Sequence, residues 1–187
     1  MTLPEEKKVS LSEFYHLREK TDKQMEYIGG VVFMAPSPSI AHQRISGRLH
    51  AQLFNLLEDK DCEVFHAPLD VEFSEGDGEE KKIVIPDLTV ICDREGLENN
   101  KYSGAPTIII EIISPSNQSH DLVTKLNLYM QYGVKEYWIV NPLLNTVQVY
   151  SLNDEGNYQQ SDIAKNVGTV QSKVLAAFVV EVEKLFR

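Results

Sequence analysis

Residues 107–116 read TIIIEIISPS, and this stretch decides how the rest of the chain is understood. Ile108, Ile109, Ile110, Ile112 and Ile113 form a short, β-branched, nearly continuous apolar run that ends at Ser114 and Pro115, the pattern of a buried strand. Glu111 interrupts it. An unpaired carboxylate at such a position costs several kcal/mol, on the order of the whole stability of a domain. Side chains alternate along a strand, so Glu111 shares a face with Ile109 and Ile113, and Ile108, Ile110 and Ile112 take the other.

A second acid lies in another apolar run, KIVIPDLTVIC at 82–92. There Asp87 shares a face with Thr89 and Ile91. If the two strands are neighbours, one register brings Asp87 and Glu111 together at one end of the sheet. Adjacent carboxylates repel, and a divalent cation between them reverses that penalty. Hard oxygen donors suit magnesium or manganese. Downstream, a helix is expected over about 118–132, closed by Gly133. It buries Leu122, Leu126, Tyr129 and Met130 and leaves Lys125 at its flank, within reach of the sheet by snorkelling. A lysine there can neutralise charge developing on a phosphate. Each residue also has a plainer reading: Asp87 as a turn residue after Pro86, Glu111 paired with a buried partner, and Asp121 with Lys125 as a surface ion pair.

Around this centre, Ser10 and Glu13 form a capping box that opens a helix at about 11–20. Gly29-Gly30 suits a hairpin between QMEYI and VVFMA. A longer helix over about 40–58 carries Ile45, Leu49, Leu53, Leu56 and Leu57 on one stripe. Strands are expected at 62–74, 82–92, 136–140 and 146–151, a surface loop at 93–106, and a short closing helix near 180–186. Trp138 lies in an apolar strand and reads as core. A single domain over 1–187 with a mixed central β-sheet flanked by helices is the economical α/β arrangement.

Composition narrows the function classes. With 42% hydrophobic and 25% charged residues the chain has the make-up of a globular protein. It has no apolar run of the roughly 20 residues that cross a membrane, and MTLPEEKKVS lacks the apolar core of a secretory signal. A cytoplasmic location is expected, with Cys62 and Cys92 as reduced core thiols. The net charge of -10 weighs against an extensive nucleic-acid surface. Local field matters more than the sum, however, and His42, Arg44, Arg48 and His50 gather on the long helix.

The PD of IVIPDLTV, the Glu111 of IIIEIISPS and the following lysine resemble the PD-(D/E)XK nuclease superfamily. MEYIGGVVFMAPSPSIAHQRISGRL, VIPDLTVICD and GAPTIIIEIISPSNQSHDLVTKLNLYMQYGVKEYWIVNP resemble, more narrowly, the large bacterial restriction endonuclease domain family. The likeness runs from about residue 10 to the closing FVVEVEKLF. It implies a restriction-endonuclease-like core, with the N-terminal helix and hairpin added, and Mg2+- or Mn2+-dependent hydrolysis of DNA. Asp87 and Glu111 then take the metal-ligating carboxylate positions, and the backbone carbonyl of Ile112 is a third ligand. The superfamily lysine two residues after the glutamate is here Ile113, and the family's lysine stands in the next helix as Lys125. Where Gly29 stands the family tends to carry an acid, a loop variation. His42 and Gln43 match positions common in the family and are candidates to line the cleft, against a solvated helix start for His42, and Glu26 is a further candidate. A homodimer is expected, since nucleases of this kind often work as dimers and C2 pairing is the commonest assembly. Two other functions stay open: a catalytically inactive nucleic-acid-binding or assembly protein on the same scaffold, and a hydrolase of a smaller phosphorylated substrate.

Overall fold

The computed structural model describes residues 8–34, 37–74, 81–114 and 120–187. The EGDGEE segment at 75–80 and residues 115–119, which include the start of the helix expected over 118–132, lie outside them.

Helix α1, Leu11–Arg18, starts at the expected capping box: Ser10 accepts from the Glu13 N–H, and the Glu13 carboxylate reaches back to the Ser10 N–H. Strands β1 (Met25–Ile28) and β2 (Val31–Met34) form the hairpin, with Gly29 and Gly30 both at positive φ (61° and 84°), which a two-residue turn requires. Helix α2, Ile40–Leu57, is capped by Ser39 and buries Ile45, Leu49, Leu53 and Leu57.

The single central sheet is corrected to two larger sheets and a small one. The expected strand at 62–74 divides into β3 (Glu63–His66) and β4 (Asp70–Phe73), and that at 82–92 into β5 (Lys82–Val84) and β6 (Leu88–Ile91). In each case the break falls at a proline, Pro68 and Pro86, which removes a ladder donor. The two halves then join different sheets. With β7 (Lys101–Ser103, inside the expected loop), one sheet has the order β2-β1-β5-β4-β7. The other has the order β11-β10-β9-β8-β6-β3, where β8 is Ile108–Ile112, β9 Glu136–Asn141, β10 Thr146–Leu152 and β11 Tyr158–Lys165. Strands β8 and β9 run parallel through a crossover made of a π-helical segment, His120–Lys125, and helix α3, Leu126–Gln131. The chain closes with the β12 (Thr169–Gln171) and β13 (Val179–Glu181) pair and the short helix α4, Val182–Leu185.

The isoleucine run sorts as its alternation demands. Ile108, Ile110 and Ile112 join the core under α2 with Trp138 and Val140. Ile109 and Ile113 face the other way, into a core shared by β4, β5, α3 and Tyr137. That second core lies between the two larger sheets, and Glu111 points toward it.

Cys62 and Cys92 are not reduced thiols: they form a disulfide with Cα atoms 4.0 Å apart. Glu63 pairs with Ile91 in the antiparallel β3–β6 ladder, so the next residues outward stand opposite one another. Their separation of 30 residues carries no hint of this without the register. Among the described residues no helix is long and apolar enough to cross a membrane.

Candidate functional site

Strands β6 and β8 are antiparallel neighbours, with Leu88 opposite Ile110. One step further along the same ladder, Asp87 comes opposite Glu111. Asp87 itself lies in the bend before β6, not within a strand as expected, at the point where the chain passes between sheets. There it is held on both oxygens. The Ile112 N–H donates to Oδ2 at 2.7 Å, and the Nε2 of His42, from the first turn of α2, lies 3.0 Å from Oδ1. Ile112 and Asp87 are thus joined directly.

Glu111 is 3% exposed and its Oε1 accepts two bonds, from Lys125 Nζ at 2.9 Å and from the Tyr129 hydroxyl at 2.8 Å. Burial, followed by the Glu111 and Glu26 charges, pushes the Tyr129 phenol well above its ordinary range, so it remains a neutral donor. Lys125 is 4% exposed. It neither snorkels nor forms a mere surface pair: its ammonium also lies 2.9 Å from Glu26 Oε1. Glu26 comes from β1, in the other large sheet, where Met25 and Tyr27 pack toward α1 and Glu26 takes the opposite face. The same Oε1 accepts the Ile85 N–H at 2.8 Å. Two buried carboxylates from facing sheets therefore converge on one lysine, which offsets the cost of burying either.

These groups line a cleft of about 1140 Å³, with α2 along one wall and the β9–β10 turn at Pro142 and Leu143 along the rim. Asp87, Glu111, Lys125, His42, Gln43, Glu26 and the Ile112 backbone, each named from sequence, all border it. Tyr129 was expected only as core, and its hydroxyl contact was missed because α-helical periodicity records which face is apolar, not where a phenol ends. His50 and His66 also line the cleft. Their rings meet edge to face, with centroids 5.2 Å apart. Burial and the neighbouring His66 charge push the His50 imidazole down.

The arrangement can present oxygen donors to a hard cation. Magnesium is typically held through one or two carboxylates and retains waters, unlike metals caged wholly by protein. Asp87, Glu111 and the Ile112 carbonyl fit that description. Among the described residues no three His, Cys, Asp or Glu side chains form a fuller cage.

Comparison with known proteins adds three findings. The profile of one family, Uma2, described as "Putative restriction endonuclease", matches residues 11–183. An uncharacterized protein of Synechocystis sp., slr1290, is 27% identical over 161 residues, 83% of each chain. The crystal structure of a putative nuclease belonging to DUF820 from Anabaena variabilis superposes with a TM-score of 0.75 at 22% identity, over 95% of this chain and 97% of that one. At that identity the superposition shows a shared mixed α/β fold.

Proposed function

The chain belongs to the Uma2 family, and from that membership and the cleft we propose a metal-dependent endonuclease that hydrolyses DNA phosphodiester bonds on a restriction-endonuclease-like core. One observation carries the proposal: Asp87 and Glu111 take adjacent positions on neighbouring strands, and a buried lysine meets Glu111 in the same cleft. A structural ion pair explains Lys125 with Glu111 but gives no reason for Asp87 to stand beside them.

Asp87, Glu111 and the Ile112 carbonyl would hold Mg2+ or Mn2+, which when bound supplies an activated water and charge neutralisation at the phosphate. The chain's own groups do the rest. The Ile112 N–H and His42 fix both oxygens of Asp87, while Tyr129 and Lys125 fix Oε1 of Glu111, so the carboxylates are positioned before substrate arrives. Lys125 directs its ammonium to the negative charge that grows on the phosphate oxygens. In hydrolysis a water oxygen bonds to phosphorus, one ester P–O bond breaks, and the departing oxygen takes up a proton. A homodimer would set one such cleft against each strand of a duplex, and light scattering reads that assembly.

Nicking of supercoiled plasmid in magnesium or manganese tests the assignment. Parent protein should cut, and Asp87→Ala and Glu111→Ala should not. Equal rates in all three remove it.

A second reading, an inactive nucleic-acid-binding or assembly protein, is favoured by the net charge of -10 and by an ammonium already engaged with two buried acids. Absence of any heat on manganese titration would support it.

A further inference from the structure

Helix α2 carries Arg44, Arg48, His42 and His50 and no acidic residue along its 18 positions, in a chain of net charge -10. One side of it is committed to the core through Ile45, Leu49, Leu53 and Leu57. Another borders the cleft. There Gln43, Gly47, His50 and Phe54 follow one another at helical spacing, and the first three line the cleft itself. A Cβ added at Gly47 would meet nothing within 4 Å, so the wall is hollow at that point. Beyond it the His50 and Phe54 rings stack, with centroids 6.2 Å apart and planes 19° from parallel, and His66 closes against His50. Phe54 is 57% exposed, an unusual placement for a large aromatic that contributes nothing to the core.

We propose that this strip is the seat of a single DNA strand leading away from the Asp87–Glu111 site, with the backbone passing over Gly47 and a base stacked on the His50–Phe54 rings. The assignment rests on the nuclease function proposed above. An acid-free helix with Arg44 exposed on it complements a polyanion, although Arg48 is engaged by the Leu185 carbonyl, and ring faces take unpaired bases irrespective of sequence. A base inside a duplex cannot stack this way, so the strip fits an unpaired strand. His42 touches Asp87, and from His42 to Phe54 the helix advances about 18 Å at 1.5 Å per residue. At 3.4 Å per nucleotide in a strand of ordinary rise, Phe54 meets a base about five nucleotides from the scissile phosphate.

The test is fluorescence anisotropy with a labelled 20-nucleotide single strand in calcium, alongside calorimetric titration of manganese. Two variants at exposed positions are compared with parent, Phe54→Ala and Gly47→Glu, the second filling the hollow with a negative charge. The proposal expects each to weaken DNA binding by about ten-fold or more while manganese affinity stays that of the parent and thermal melting does not fall, Gly47→Glu rising slightly as a mid-helix glycine is replaced. A parent that binds DNA, with both variants binding equally well, overturns the strip and leaves the nuclease assignment standing. A parent that binds neither manganese nor DNA overturns the nuclease assignment and the strip with it. A Phe54→Ala protein that changes oligomeric mass but not DNA affinity shows the aromatic to be a contact between copies, and also overturns it.

Discussion

The ammonium of Lys125 lies 2.9 Å from Oε1 of Glu26, joining the crossover of one large sheet to the first strand of the other. Since the same nitrogen reaches Glu111, removing it leaves two buried acids facing each other. Lys125→Met should therefore lower stability by about 3–5 kcal/mol in urea denaturation without metal. Adding magnesium should restore part of the loss, because a cation held by Asp87 and Glu111 as proposed lessens the repulsion between Glu111 and Glu26. A loss below about 1 kcal/mol would show the pair to be as weak as an exposed one.

Tyr129→Phe keeps the buried ring and deletes only the hydroxyl that orients Glu111. The cost in stability should be about 1 kcal/mol. Outer partners of metal ligands typically contribute ten- to a hundred-fold in metal affinity. With Glu111 holding the metal as proposed, the magnesium concentration for half-maximal cleavage should rise about ten-fold or more, with the rate at saturation little changed. An unchanged magnesium dependence would restrict Tyr129 to packing.

Glu72 offers a pH test away from the cleft. Burial raises its carboxyl, but hydrogen bonds from Lys81 and Lys101, at 3.0 and 3.1 Å, outweigh that and hold it below the usual range. A group whose folded value is depressed contributes stability above its unfolded value, and loses it as pH falls through the folded one. Glu72→Gln should thus be less stable than parent at neutral pH, and the difference should close below about pH 4.3, the ordinary glutamate value. Parallel acid-denaturation curves for the two proteins would contradict this.

Glu136 is fully buried and accepts four bonds, from Trp138 Nε1, the Ser151 and Ser172 hydroxyls and the Lys173 N–H. It ties the β12 region to β9. Glu136→Gln turns one acceptor into a donor facing donors and should cost about 3 kcal/mol, read by urea denaturation. Manganese affinity should not move, because Glu136 does not border the cleft.

The local elements, and the buried acids of the candidate site, were legible where one stretch of chain sufficed. The Ser10–Glu13 cap, the Gly29-Gly30 turn and the two-faced isoleucine strand all follow from short-range chemistry. So did the acids: a carboxylate in a greasy run demands a partner, and Glu111 accepts from Lys125 and Tyr129. What escaped depends on register and on long-range closure. Nothing near Pro68 or Pro86 states that the chain leaves one sheet for another, and from that single omission came the misplaced Asp87 and the merged sheets. The Cys62–Cys92 bond was hidden for the same reason, since it exists only once Glu63 is paired with Ile91. Glu26 was visible as an acid in a hairpin strand, but its lysine partner belongs to the far end of the fold.

The two proline corners have a bearing on how such a molecule fails. Asp87 and Glu111 attach to one sheet and Glu26 to the other, so the cleft is a seam. Fraying of the N-terminal sheet would leave most of the secondary structure and the Trp138 environment in place, and a bulk optical probe would scarcely register it. Lys125 would by then have lost its contact with Glu26 and the cleft one of its walls, so loss of the proposed activity on heating should precede melting.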